Sequence, residues 1–371
     1  MQFSKIIGQT KIKQQLIADA GAKKIPHAHL FYGKEGSGKL ALALAYAQYL
    51  NCENPSNHDS CGKCFSCIKT SKFIHPDLHF SFPVINKGGS KPPISKEFIQ
   101  EWRQFLEEKP YGNIEDWLEH IQGENKGANI TKEECKDIIL KLSLKAYEAK
   151  YKIMLIWLPE FLGNNANSLL KILEEPTANT IFLLVTENKD LILNTVISRT
   201  QTIHIPPIDR TSIADQIKVQ FQKDEEKSQW ISNICEGNYR KARLLALEEG
   251  QLNDSVLKQW LNICYKSRPS KMVDWSESMA KESRMNQMAF LNYSAQMLRH
   301  AIVNKYGKTM NHSESDLKLA KSLIELLTFN GLEELSKKIS LATTHIERNA
   351  NPKILFLNLS IDLSKLLKKS A

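Results

Sequence analysis

Four of the seven cysteines lie within one short stretch of the chain, and thiolates at such spacing can bind a metal ion. These residues are Cys52, Cys61, Cys64 and Cys67. The short turns between the last three direct their sulfur atoms at one centre, and four thiolates complete a tetrahedral zinc site with no position open for catalysis. An iron–sulfur cluster is the chemical alternative. We favour structural Zn²⁺ in a module at about residues 52–67, because the sequence carries no other redox signal.

A glycine-rich segment offers a second chemistry, the binding of phosphate groups. Residues 33–40 read GKEGSGKL and lie between a short apolar run and an Ala/Leu-rich run. In such a strand–loop–helix setting, backbone N–H groups surround the phosphates and the lysine contacts the β- and γ-phosphates. We therefore predict Gly33, Gly36, Gly38 and Lys39 as contacts for ATP or ADP. The alternative is a glycine-rich turn without a ligand.

Two functions that ATP hydrolysis requires are missing from the sequence. The residue after the loop lysine normally supplies a hydroxyl to Mg²⁺, and here it is Leu40. Acidic residues that bind Mg²⁺ and activate water are expected after the apolar run KIMLI, where the chain has Trp157 and Leu158. Glu160 comes two residues later, behind a proline, and we interpret it as a surface or capping residue. We expect any nucleotide to bind without a productive Mg²⁺ site, and little or no ATPase activity.

Apolar runs alternate with helical patterns in the first part of the chain, which predicts a doubly wound α/β domain over residues 1–207. Residues 85–128 are predicted as an insertion with helices, in which the aromatic residues Trp102, Phe105 and Trp117 are expected to be buried. Strand patterns then disappear, and we predict a small helical domain at 208–248 and longer helices at 249–371. The predicted strands are 27–33, 77–84, 151–158, 180–186 and the end of 192–205. The predicted helices include 4–20, 130–146, 165–175, 291–306 and 316–329, and a loop is predicted at 86–93. Thr131, with Glu134 three positions later, is the predicted N-terminal cap of the helix at 130–146.

The composition excludes several classes of protein. The chain has 371 residues, of which 42% are hydrophobic and 25% charged, which is typical of a folded protein and not of a disordered one. No apolar run approaches the length of about 18–20 residues that spans a bilayer. The N-terminal residues lack the apolar core of a secretory signal, so we expect a cytoplasmic protein with reduced thiols. The net charge is +9, and residues 251–371 carry 18 Lys+Arg against 11 Asp+Glu, or +7.

Several of these motifs together resemble one known family, the bacterial DNA polymerase III clamp-loader subunits of the AAA+ class. The resemblance is carried by Gly8-Gln9, HAHLFYG, the phosphate loop, the four cysteines after its helix, HPDLHF, NSLLKILEEP, ISRT and IERNANPKILFLNLSIDL. It extends along the chain apart from about residues 85–128. Within the family, the residues at 40, 157 and 158 make the chain more similar to the delta-prime subunit than to the ATP-hydrolysing gamma/tau subunits.

The resemblance implies a fold and a set of roles. Residues 1–207 would form an AAA+ P-loop domain with an inserted zinc module, followed by a helical lid domain and an all-α collar domain for oligomerisation. In clamp-loader rings, the arginine of a Ser-Arg-Cys motif reaches the γ-phosphate bound by the neighbouring subunit. The resemblance therefore implies that Arg199, in Ser198-Arg199-Thr200, is an arginine finger in trans. Arg240, in GNYRKA, would be a further nucleotide contact in cis.

The implied function is that of a hydrolysis-deficient stator in the DNA polymerase III holoenzyme, a nucleotidyltransferase. It would help gamma/tau and delta subunits load the sliding clamp onto primer–template DNA, without contact to a membrane. Two alternatives stay open. One is a divergent, active gamma/tau-type ATPase, against which Leu40 and Trp157 argue. The other is a zinc-containing nucleic-acid-binding protein, which the basic C-terminal third favours.

Overall fold

The computed structural model describes residues 1–22, 24–86, 88, 91–124, 126–247, 254–282, 284–305, 321–347 and 350–370. Its contacts divide the chain into two compact units. The first contains Met1–Gln216 and Cys235–Lys241, and the second contains Ile217–Ile234 and Ala242–Ala371. The predicted boundaries after residues 207 and 248 stay predictions.

A five-stranded parallel sheet forms the centre of the first unit, in the order β2-β3-β4-β1-β5. The strands are β1 Ala28–Tyr32, β2 Leu78–Ser81, β3 Lys152–Trp157, β4 Thr180–Thr186 and β5 Gln201–His204. Each predicted strand is present, although β2 and β5 are shorter than the apolar runs suggested. The parallel α/β sheet predicted from the alternation of patterns is therefore confirmed.

The two central strands, β3 and β4, are buried along their whole length. Successive side chains of a strand point to opposite faces of the sheet. Ile153, Leu155 and Trp157 accordingly join one apolar core, and Met154 and Ile156 join the other. A strand covered on both faces has no solvent-facing positions, which explains why these segments are continuous apolar runs.

The helices of the first unit cover both faces of the sheet and position its loops. They are α1 Thr10–Gly21, α2 Lys39–Leu50, α3 Phe65–Ser71, α4 Ile99–Glu108, α5 Ile114–His120, α6 Lys132–Ser143, α7 Leu170–Glu174 and α8 Asn194–Ile197. Helix α2 is buried along all of its twelve residues. It packs against three strands and against α1 and α3, so its apolar and alanine side chains surround the helix instead of forming one stripe. The phosphate loop directly precedes this helix.

The inserted segment, residues 85–128, carries an aromatic core against the sheet. Trp102, Phe105 and Trp117 are fully buried, as their sequence context indicated. The ring of Trp157, at the end of β3, lies 5.1 Å from Trp102 and 5.7 Å from Phe105 between centroids. The residue in the position expected for an acid is thus a packing partner of the inserted segment.

The predicted cap of α6 is confirmed. The Thr131 hydroxyl accepts a hydrogen bond from the backbone N–H of Glu134 at 3.1 Å. Glu134 itself does not complete a capping box, because its carboxylate accepts from the backbone N–H of Ser95 at 2.7 Å. That carboxylate is buried, and burial raises its pKa.

The predicted helix at 165–175 is shorter than its pattern suggested. A 3₁₀ segment, Pro159–Leu169, precedes it, and only Leu170–Glu174 is α-helical. The chain bends at Gly163, where φ is +50°. Glycine adopts this left-handed conformation without a steric penalty, so the kink interrupts the helical pattern.

The second unit is helical throughout the part of it that the structure describes. Its complete helices are Glu225–Ile234, Asp254–Tyr265, Pro269–Lys281, Arg284–Lys305, Phe329–Glu347 and Pro352–Ser370. Two further helices, Arg210–Phe221 and Tyr239–Leu247, each contain residues of both units. Residues 316–320 of the predicted helix 316–329 lie outside the described residues, as do 87, 89 and 90 of the predicted loop.

An aromatic cluster fills the interior of the second unit. Trp260, Trp275, Phe290 and Phe356 are buried with ring centroids 5.4–6.1 Å apart. The indole N–H of Trp260 donates to the Ser360 hydroxyl at 2.8 Å, which satisfies its buried polar atom. Among the described residues, no helix combines the length and apolar character needed to cross a membrane.

Candidate metal centre and phosphate loop

The four clustered cysteines converge in space as their spacing predicted. The Sγ atoms of Cys52, Cys61, Cys64 and Cys67 all lie within 4.8 Å of one another. None of the seven cysteines forms a disulfide. Four free thiols around one point form a donor set suited to a tetrahedral thiophilic ion.

Backbone N–H groups donate to the sulfur atoms of this cluster. Cys61 Sγ accepts from the N–H of Cys64 at 3.3 Å and of Lys63 at 3.5 Å, and these bonds lower the pKa of the Cys61 thiol to about 6. Burial raises the pKa of Cys67 and Cys52. A metal ion binds thiolates, so N–H donors that stabilise negative sulfur fit the binding of zinc.

Local structure holds the cluster in place. Cys64 caps α3, because its Sγ accepts from the backbone N–H of Cys67 at 3.4 Å. Asp59 accepts from the backbone N–H groups of Phe3 and Ser4, each at 2.9 Å. Burial opposes ionisation of Asp59, but these hydrogen bonds lower its pKa. The role of Asp59 could not be predicted from the sequence, since an aspartate in a loop has no motif of its own.

The glycines of the phosphate loop are required by its geometry. Gly36 and Gly38 have φ of +67° and +86°, a region that side chains with a Cβ rarely adopt. A Cβ added to Gly33 would overlap the carbonyl oxygen of Ile205, so this position needs the smallest residue. Gly38 is the N-cap of α2, which places the loop at a helix N-terminus. The backbone therefore has the form of a phosphate-binding loop.

Lys39 is turned into its own loop. Its side chain is 6% exposed, and Nζ donates to the carbonyl oxygen of Lys34 at 2.9 Å. Nζ also lies 3.8 Å from Oε1 of Glu187, which the sequence analysis did not single out. Burial lowers the pKa of Lys39, and the nearby carboxylates of Glu187, Glu35 and Glu160 oppose this shift.

The positions that should bind Mg²⁺ offer no oxygen ligand. Leu40, Trp157 and Leu158 are all buried in the apolar core. Glu160 lies in the first turn of the 3₁₀ segment, and its Oε2 is buried without a hydrogen-bond partner among the described residues. Burial raises the pKa of Glu160 to about 7, although hydrogen bonds from its own backbone N–H and from Thr186, and the charge of Lys39, act in the opposite direction. The sequence analysis interpreted Glu160 as a surface or capping residue; it does lie in a first turn, but its Oε2 is buried.

Arg240 lies beside the phosphate loop, as its proposed role requires, but it is already paired. Its guanidinium donates twice to Asp116, at 2.6 and 2.9 Å, and once to Glu35 at 3.1 Å. Burial alone would lower the pKa of Arg240, but these two carboxylates raise it. The sequence analysis missed Asp116 because it lies in the inserted segment, where no family motif guides the assignment.

Arg199 follows the short helix α8 and remains accessible. Its side chain is 28% exposed and lies 3.2 Å from Oε1 of Glu174, which is 59% exposed. Its Nη1 also donates to the carbonyl oxygen of Thr195 at 2.9 Å. An exposed ion pair contributes about 0–1 kcal/mol, so exchange of Glu174 for another anion costs little.

Comparisons with known proteins identify the family. A family model described as "DNA polymerase III, delta subunit" matches residues 8–209. The chain is 27% identical to DNA polymerase III subunit delta′ of Bacillus subtilis over 210 residues, covering 56% of this chain and 51% of the relative. It is also 27% identical to subunit tau of Bacillus subtilis over 263 residues, covering 69% and 39%. The chain thus spans about half the length of these relatives, or less.

The solved structures include a DNA polymerase III gamma subunit-related protein of Thermotoga maritima, with 14% identity, coverage of 97% and 99%, and a TM-score of 0.41. The sequence comparisons confirm the predicted resemblance to the clamp-loader subunits, with delta′ subunits of two bacteria among the relatives. Since the family model covers more than half of the 371 residues, the chain belongs to the DNA polymerase III delta subunit family.

Proposed function

We propose that this chain acts as a delta-prime-type stator of the DNA polymerase III clamp loader. It would help gamma/tau and delta subunits load the sliding clamp onto primer–template DNA, without hydrolysing ATP itself. The observation that carries the proposal is the burial of Leu40, Trp157 and Leu158 in one apolar core. Both groups that would handle Mg²⁺ and water are replaced by packing residues.

Relatives of both the delta′ and the tau type match the chain, so sequence similarity alone does not choose between these roles. The packing of Trp157 favours the delta-prime role. Restoring an acid there would remove an indole that contacts Trp102 and Phe105, and would bury a charge in its place. An active ATPase would require a different core, not merely one different residue.

Arg199 supports the role of a stator that assists a neighbour. An arginine finger must be able to leave its resting contact and reach the γ-phosphate of the next subunit, where it stabilises the charge of the transition state. The exposed pair with Glu174 leaves the guanidinium available for that exchange.

The remaining parts follow the family resemblance. Cys52, Cys61, Cys64 and Cys67 would hold a structural Zn²⁺, which supplies cohesion to a loop-rich module and no catalysis. Residues 208–248 would serve as the lid and 249–371 as the collar through which subunits assemble. The nucleic-acid-binding alternative stays a prediction.

The test is ATP hydrolysis by a loader reconstituted from this chain, gamma/tau, delta, the sliding clamp and primed DNA. Arg199→Ala should lower the rate at the neighbouring site by about 10³-fold, diluted in the total by the other sites. Arg210→Ala, at an exposed arginine eleven positions later, serves as the matched control. Size-exclusion chromatography verifies that each ring is intact.

Two outcomes would contradict the proposal. Steady hydrolysis by the purified chain alone, abolished by Lys39→Ala, would establish the gamma/tau-type alternative. An unchanged rate with Arg199→Ala in an intact ring would remove the arginine-finger role.

A further inference from the structure

A tyrosine of the inserted segment packs directly on the phosphate loop. A Cβ added to Gly38 would lie 2.9 Å from Cε1 of Tyr111, so the ring lies against the backbone at the start of α2. The ring meets Tyr239 edge to face, with centroids 4.9 Å apart. Its hydroxyl oxygen accepts from the backbone N–H of Ile7 at 3.0 Å. A flat ring beside a phosphate loop, with one polar edge on a backbone N–H, has the contacts that the base of a nucleotide would make.

Asp116 of the same segment forms an ion pair with Arg240, which lies beside the loop. The two hydrogen bonds from Arg240 to Asp116 form a bidentate pair, the geometry with which arginine also binds phosphate. Arg240 is 18% exposed and Asp116 9% exposed, so water screens this pair little. Asp116 is held in turn by the N–H of Asn113 at 3.2 Å, within the cap of α5.

The second cation of the loop is also paired inside the chain. Lys39 contacts the carbonyl oxygen of Lys34 and lies near Glu187. Arg240 contacts Glu35 in addition to Asp116. Two cations thus face four carboxylates, since Glu115 also lies 4.0 Å from Arg240, before a nucleotide adds several more negative charges. Without a Mg²⁺ ligand at Leu40, the loop has only the exposed Lys34, whose charge is screened by water, to offset that repulsion.

We propose that the inserted segment is an internal occupant of the nucleotide position, with Tyr111 in place of the base and Asp116 in place of a phosphate. The segment supports the observed conformation of the phosphate loop without ATP or ADP, and keeps nucleotides out. This inference deepens the proposed function, since it gives the reason why the chain is inert toward ATP. It depends on the loop, the inserted segment and Arg240, and not on Arg199, so it and the role of Arg199 can fail independently.

The test measures binding of mant-ADP, a fluorescent ADP analogue, to the full-length chain with and without Mg²⁺. The double variant Tyr111→Ala/Asp116→Asn should bind at least about tenfold more tightly than the wild type, as expected when a charge-assisted competitor is removed. ADP should raise the melting temperature of the variant and not that of the wild type. Adding Lys39→Ala to the double variant should abolish the gain.

Matched controls are Tyr147→Ala, at a tyrosine that is 82% exposed, and Glu119→Gln, at an acid that is 65% exposed on the same helix as Asp116. Neither should change binding. Equal affinity of wild type and double variant, or no gain in a double variant that melts cooperatively, would overturn the proposal. If the double variant does not fold, Asp116→Asn alone decides in the same assay, because it keeps the side-chain shape and removes the charge.

Discussion

The cysteine cluster and the phosphate loop are both glycine-containing motifs, but they differ in what their functional side chains contact. In the cluster, four sulfur atoms lie within 4.8 Å of one another, and the side chains that meet there are all thiols. In the loop, Lys39 and Arg240 are each paired with carboxylates of the same chain. Under our proposals, the first arrangement takes up a metal ion from outside, and the second has replaced a bound nucleotide with groups of the chain itself. The comparison teaches that the state of the charged groups, and not the backbone form of a motif, decides whether a ligand can enter.

The largest effect should come from replacing one of the four cysteines that would bind the metal ion. Cys64→Ala should abolish the retention of a single Zn²⁺ per chain and unfold the module, because binding of structural zinc contributes about 10–16 kcal/mol in small zinc modules. Metal analysis by mass spectrometry together with thermal melting measures both. Cys264→Ala, at a buried cysteine outside the cluster, should retain the metal. Full zinc content in Cys64→Ala would break the contrast between the two regions.

A smaller effect is expected at Trp157, which occupies the position at the end of β3 where an acidic residue was expected. Trp157→Ala should lower the free energy of unfolding by about 3–5 kcal/mol, because it opens a cavity between Trp102 and Phe105. Trp157→Asp should cost at least as much and restore no hydrolysis. Urea unfolding measures the loss, with Tyr147→Ala as an exposed aromatic control. An Asp variant as stable as the wild type would mean that the site tolerates an acid.

The smallest effect concerns the carboxylate of Glu160, whose Oε2 is buried without a hydrogen-bond partner among the described residues. Its pKa is about 7 in the folded chain and about 4.3 in an unfolded one, so the folded state holds an extra proton between these values. Stability should therefore fall as the pH rises from about 4 to about 7. Glu160→Gln should raise the free energy of unfolding by about 1–3 kcal/mol at pH 8 and leave it unchanged at pH 4.

Urea unfolding at the two pH values checks this prediction, with Glu119→Gln as the exposed control. A gain of the same size at both pH values would point to packing as its cause. It would also mean that no charge remains unpaired beside the phosphate loop.

The sequence predicted the parts of the fold that depend on local pattern. The buried strands β3 and β4, the capped start of α6 and the convergence of the cysteines all follow from periodicity or spacing. The contact between Asp116 and Arg240 could not be predicted in this way, because 124 residues separate them and the inserted segment has no motif. The inward direction of Glu160 was missed for a related reason, since it depends on how the chain turns after β3.

The close approach of Gly33 to the Ile205 carbonyl also bears on the evolution of this motif. Any larger residue at this position would push the chain after β5 away from the loop. Selection for correct folding alone would therefore eliminate such a substitution. The same selection would act whether or not a nucleotide ever binds. The sequence motif of a phosphate-binding loop can therefore persist in a lineage after nucleotide binding and hydrolysis have been lost. A genome survey that identifies ATPases by this motif alone would include such chains.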